Sequence, residues 1–238
     1  MKLSQVASAC SVAALMAFAS FGAVSAADLS TPEGTVAAYI EGVAQQDFDA
    51  VLATTSVEKA SQGYDLVAAV SRLRALTSRM PAPSSSPFLV AINKADFTAQ
   101  IASQLKFLTY GLMTKSELIE GKTVQMEGEG ATDFVSVVRA DRLESLELVK
   151  VDIPKPSLLN GERNQVNAVK MAATYGADML TERVALVSFE GLNFAIGFTL
   201  LRYGEEWFVL YQNSNIAGLS PLGVPQPVTP DEYEKLLQ

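Results

Sequence analysis

FAIGFTLLRYGEEWFVLYQ, residues 194–212, is the stretch on which the fold turns. It holds two runs rich in aromatic and β-branched residues, separated by Tyr203-Gly204-Glu205-Glu206. Glycine tolerates the positive φ that tight hairpin turns need, so the spacing predicts antiparallel strands over 193–202 and 207–212. Strand side chains alternate between faces, which places Phe194, Ile196, Phe198 and Leu200 in one row. Trp207, Val209 and Tyr211 form the matching row on the partner strand.

Working upstream, 184–189 reads as another strand. So does 146–153, where Val149, Val151 and Ile153 should face a core while Lys150 and Asp152 point outward. Segments 122–127 and 133–139 also read as strands, with a short helix over 134–138 as the alternative for the second. The N-terminal third has helical spacing instead. Thr31-Pro32 offers a cap and a first-turn proline, and Ser30-x-x-Glu33 an overlapping capping box; Val36, Tyr39, Ile40 and Val43 then follow the i, i+3, i+4, i+7 pattern. Asp47 is placed to cap a second short helix carrying Phe48, Val51 and Leu52. A third helix is expected over 57–79 on a Leu66, Val70, Leu73 stripe, with Arg72, Arg74 and Arg79 on its basic side. A Pro/Ser-rich loop at 81–87 follows, then helices over 94–113 and 161–180, the latter with Val166, Val169 and Ala173 inward. Thr229-Pro-Asp-Glu232 predicts a capping box opening a C-terminal helix.

The fold class expected is therefore α+β: a curved antiparallel sheet packed on N-terminal helices, cone-like, with extra helical insertions. Two stretches carry a resemblance. TPEGTVAAYIEGVAQQDFDAVLAT (residues 31–54) is similar to the opening helix pair of the nuclear transport factor two-like superfamily, with its polar-Asp-Phe-Asp junction. FAIGFTLLRYGEEWFVLYQ is similar to that superfamily's closing strands around a Gly-Glu turn and a Trp. The resemblance implies a sheet wrapped around a long helix, with a pocket in the cone. Segments 94–113 and 161–180 look like insertions against that pattern. Enzymes of the superfamily often place a His or an Asp in the cup. This chain has no histidine and no matching Asp motif, so no catalytic residue carries over.

Composition removes much chemistry. Without histidine, Ser-His-Asp and Cys-His catalysis are excluded, as are His-ligated metals. Lys2, an uncharged small-apolar run over 6–24 and Val24-Ser25-Ala26 read as a signal peptide over 1–26, cut before Ala27. Residues 27–238 are then one α+β domain without a cysteine, since Cys10 departs with the leader. Removing Lys2 takes the formal charge from −8 to −9. An acidic chain with no basic stripe argues against nucleic acid. No run after the leader is apolar for long enough to span a membrane. The expected location is periplasmic or secreted.

The motif matches are weak. Ser103-x-x-Lys106 lacks the companion motifs of penicillin-binding enzymes. Gly121-Lys122-Thr123 has Ser116 where a phosphate loop needs glycine. Glu127-Gly128-Glu129 and Glu205-Glu206 read as solvated turns. No catalytic residue, metal site or cofactor is implied. The candidate ligand-binding residues are Tyr39, Phe194, Ile196, Phe198, Trp207 and Tyr211, an apolar wall with phenolic tips. The reading that follows is a non-enzymatic binding or protein-interaction module of the cell envelope. Its expected partners are an apolar small molecule or a second copy through an exposed sheet face. The alternative is an isomerase or dehydratase with a buried carboxylate base; its mark would be a carboxylate on the inward face of a strand.

Overall fold

The computed structural model describes residues 27–115 and 117–238, so the leader reading over 1–26 lies outside the described residues. The chain is α+β. Helix α1 (Pro32–Ala44) starts where Thr31 accepts a hydrogen bond from the Gly34 N–H. The cap is thus Thr31, and the Ser30/Glu33 box is not used. Asp47 caps α2 (Phe48–Ala53) through the Ala50 N–H. The stripe Val36, Tyr39, Ile40, Val43 and Val51 is buried as its spacing requires.

Phe48 is the exception. It is 39% exposed, because it is the first residue of α2 and lies at the rim of the helix pair. Full burial would have made Phe48→Ala cost about 3–5 kcal/mol. With this exposure the expected cost falls to about 1–2 kcal/mol. Asp47→Ala, which removes the cap, should cost about 0.5–2 kcal/mol, and Asp47→Asn almost nothing, since an amide oxygen caps equally well. Chemical denaturation midpoints of the three variants check this; a Phe48→Ala loss above that of Asp47→Ala by several kcal/mol would contradict the exposed placement.

The helix expected over 57–79 is two helices, α3 (Val57–Gly63) and α4 (Leu66–Leu73). Asp65 restarts the second by accepting from the Ala68 N–H. A Cβ on Gly63 would come within 2.8 Å of the Tyr175 carbonyl, so the break is where two backbones touch. Only Ala69 of α4 is fully buried, and Val67, Leu73 and Leu76 are exposed, which corrects the predicted stripe. Helix α5 (Pro87–Met113) begins seven residues earlier than predicted. Ser86 caps it and Pro87 takes its first position, so the end of the Pro/Ser-rich loop is a helix start.

Segment 122–127 forms no strand, and 133–139 takes the alternative reading, as part of α6 (Gly128–Val137). A 3-10 turn at Ala140–Ser145 leads into β1 (Leu146–Asp152). Here the predicted facing is corrected. A bulge between Leu148 and Lys150 leaves Val149 unpaired and shifts the alternation. Leu146, Leu148 and Val151 therefore face the core, while Val149 and Ile153 are exposed. After the short α7 (Pro156–Leu159), α8 (Glu162–Thr174) buries Ala172, not the predicted Val166/Val169/Ala173 face, which points to solvent.

Strands β2 (Met179–Phe189), β3 (Leu192–Tyr203) and β4 (Glu206–Tyr211) continue an antiparallel sheet in the order β1-β2-β3-β4. The β3–β4 hairpin pairs Arg202 with Trp207 and Tyr203 with Glu206, around Gly204 at φ +64°. β5 (Gln226–Pro227) pairs with the start of β3, and α9 (Pro230–Leu237) opens with the predicted capping box.

Both faces of the sheet are packed. The main core joins α1, α5 and the inward rows of β2–β4. A smaller cluster of Val184, Ala195, Ala217, Leu219, Val228 and Tyr233 sits on the far face under α9. Tyr233 donates to Asp152 at 3.0 Å and Lys150 pairs with Glu234 at 3.1 Å, so the outward side chains of β1 meet the C-terminal helix.

Candidate functional site

Five of the six residues expected to line a pocket are buried core, and Tyr211 packs against it. Tyr39, Phe194, Ile196 and Phe198 are at most 3% exposed, and Trp207 is 9% exposed. Tyr39 and Phe198 meet edge to face at 5.3 Å. The Tyr39 hydroxyl donates to Gln212 Oε1 at 2.9 Å. Gln212 in turn donates to the Gly223 carbonyl, and its backbone N–H donates to Gln104 Oε1. The polar tip of Tyr39 is thus spent on a buried amide network. Tyr211 is only partly buried and shares a 2.7 Å hydrogen bond with Tyr175. Burial pushes the Tyr39, Tyr175 and Tyr211 hydroxyls up, well away from ionisation at neutral pH.

The N-terminal helix pair borders an apolar groove of about 220 Å³, with Val43, Phe48, Val51, Leu105 and Leu143 in its walls. It contains no buried titratable group. A shallow depression of about 410 Å³ over α7 and α8 lacks one as well.

A cleft of about 380 Å³ between α4, α8, the start of β2 and the loop after β4 differs in this respect. Glu182 lines it and is only 7% exposed. Its Oε2 accepts from the Ser214 hydroxyl at 2.5 Å and from the Ile216 N–H at 2.9 Å. Ser214 Oγ also accepts from the Ala217 N–H at 3.0 Å, so the loop is folded around the carboxylate. Arg72 lines the same cleft from α4, and Asn164, Asn167 and Asn215 add amides. Leu159, Met171, Leu180 and Ile216 supply apolar wall. Among the described residues Arg72 is in no ion pair, with Glu182 or with any other carboxylate.

Burial raises the Glu182 pKa; the bonds from Ser214 and the backbone oppose it without cancelling it. The folded chain therefore holds the Glu182 proton more tightly than the unfolded chain, whose value is near 4.5. Its stabilising contribution is complete below that value and is lost as pH rises through the folded value. Glu182→Gln stays neutral throughout. Its stability relative to the parent chain should therefore climb from about pH 4.5 upward and then level off. Urea midpoints measured across that range check the sign; a difference that falls with rising pH would contradict it.

No family model and no curated protein matches this chain. A solved structure does. It is the crystal structure of a cystatin-like protein from Ruminococcus gnavus ATCC 29149. The match has a TM-score of 0.54 at 18% identity and covers 86% of this chain. This chain spans 42% of that one. At that identity the likeness concerns the fold alone, and the α+β architecture is what the two share.

Sequence reasoning missed Glu182 for a definable reason. The strand expected from Val184 starts five residues inside β2, which begins at Met179. Extending the alternation backward puts Glu182 in phase with Val184 and Leu186, a carboxylate in an apolar row. Arg72 was visible only as part of a basic helix side.

Proposed function

We propose that the protein is an exported small-molecule-binding module whose ligand site is the cleft at Glu182. One observation carries this reading: a carboxylate held inside the protein by a purpose-folded loop, yet bordering an open cleft. Burying a carboxylate is costly unless it is hydrogen-bonded, and small-molecule sites combine apolar walls with a few placed polar groups. The cleft volume is at the low end of the range of about 300–1,000 Å³ usual for such sites, which suits a small metabolite. The wall first expected from Phe194, Ile196 and Phe198 acts in this reading as scaffold. Export rests on the charged start, the uncharged run and Val24-Ser25-Ala26. The likeness to the nuclear transport factor two-like superfamily is part of the same proposal and rests on the two quoted stretches.

Native mass spectrometry of protein recovered from secreting cells tests the reading. The polypeptide mass should begin at Ala27 and carry a small-molecule adduct. Ala168→Trp, which fills the cleft from α8, should lose the adduct while keeping the fold. An identical adduct on the filled variant, or none on either, would overturn the site.

A second reading is favoured by the raised pKa of Glu182. Burial makes Glu182 a stronger base than an exposed carboxylate, which suits proton abstraction in an isomerase- or dehydratase-type reaction. Turnover of a bound ligand that Glu182→Gln abolishes, with binding retained, would separate this reading from simple binding.

A further inference from the structure

Resting on the cleft reading, we infer that the ligand is a zwitterion of the α-amino acid class, its ammonium on Glu182, its carboxylate on Arg72 and its apolar side chain against Met171, Leu180 and Ile216. The argument begins with charge. Glu182 and Arg72 line one cleft but do not pair with each other. Neither is in an ion pair among the described residues, so a guest bearing both opposite charges can partner both, at Glu182 beside the bonds from Ser214 and Ile216. A purely anionic ligand would add a like charge beside Glu182, and a purely cationic one would be repelled by Arg72.

The two hosts differ in environment. Glu182 is buried, so its partner is desolvated and the contact discriminates strongly. Arg72 is exposed, so its contact is screened and steers more than it binds. Asn164, Asn167 and Asn215 line the same cleft, and its apolar wall is of aliphatic and thioether side chains without an aromatic ring. That wall fits an aliphatic side chain. A flat aromatic ligand would find no ring to stack on.

The test uses the full chain and three probes with the same carbon skeleton in isothermal titration near neutral pH. They are L-leucine, L-leucinamide, which lacks the carboxylate, and 4-methylpentanoate, which lacks the ammonium. Leucine should bind at least about ten-fold more tightly than leucinamide, a charge-pair difference of about 1.4 kcal/mol. The preference over 4-methylpentanoate should be larger, since its missing partner is the buried one. Arg72→Gln should erase the leucine/leucinamide difference and leave the other intact. Glu182→Gln should do the reverse. Should Glu182→Gln fail to fold, the wild-type probe series and the exposed Arg72→Gln still decide the matter. Equal binding of all three probes, no binding of leucine, or preferences that neither variant changes would overturn the inference. Binding of an uncharged metabolite that Ala168→Trp abolishes would also overturn it, while leaving the cleft itself as the site.

Discussion

Phe198→Ala should unfold the protein at a temperature roughly 6–20 °C lower than the parent chain. The ring is fully buried in the middle of β3, against Tyr39 on α1. Truncation loses the transfer energy of the ring and leaves a void that close-packed neighbours fill only in part, about 3–5 kcal/mol together. A chain of this size loses about 2–4 °C per kcal/mol, which sets the range. The void also loosens Tyr39, whose hydroxyl anchors the Gln212 network. Val166→Ala, on the solvent side of α8, should stay within about 0.5 kcal/mol and serves as the control. Scanning calorimetry that found the two variants alike would show that the β3 row is not the core.

Gly197→Ala should be as damaging, though it adds one carbon instead of removing six. Gly197 lies in ordinary extended backbone, so the reason for glycine is space. A Cβ there would sit 2.4 Å from the Ser214 nitrogen and 2.8 Å from the Asn213 carbonyl carbon. Backbone cannot swing aside as a side chain can. The expected cost is at the top of, or above, the roughly 1–3 kcal/mol usual for overpacking. The damage should also be directional. The displaced segment carries Ser214 and Ile216, the two donors to Glu182. A fold that survives should therefore show the Glu182 pH dependence altered, while a distant overpacking change would lower stability without touching it. A Gly197→Ala protein with unaltered stability would mean that the loop does not rest on β3.

The late hairpin, the helix pair and the C-terminal capping box were legible because each depends on local chemistry: a Gly turn, an Asp or Thr cap, a run with one clear period. The errors have tertiary causes. Val149 departs from its alternation because of a bulge whose partner lies on β2. The break at Gly63 follows from contact with Tyr175, more than a hundred residues away. Phe48 and Val166 look inward by periodicity alone, but whether an apolar stripe finds a partner is settled by what packs against it. The candidate site was least legible of all. Its residues come from α4, α8, β2 and the loop after β4, and no short motif links them.

The outer edge of β4 is bonded by the chain's beginning. The Trp207 N–H donates to the Leu29 carbonyl, the Ser56 N–H to the Val209 carbonyl, and the Val209 N–H to the Thr54 carbonyl. Thr35 and Tyr39 reach β4 and its end across 172 and 173 residues of sequence. This closure has a consequence for the order of events in folding. Helix α1 also packs on β1, which precedes the hairpin, but neither α1 nor α2 completes its packing until β4 exists, and short isolated helices are marginal in water. The edge contacts of 29–56 with β4 must wait for nearly the whole polypeptide to emerge. Contacts this distant in sequence make for slow folding, because the loop between them must close before any of its energy is returned. A ribosome-bound chain lacking the segment after residue 205 should accordingly leave α1 and α2 open to proteolysis, and release of the complete chain should close them in a single late step.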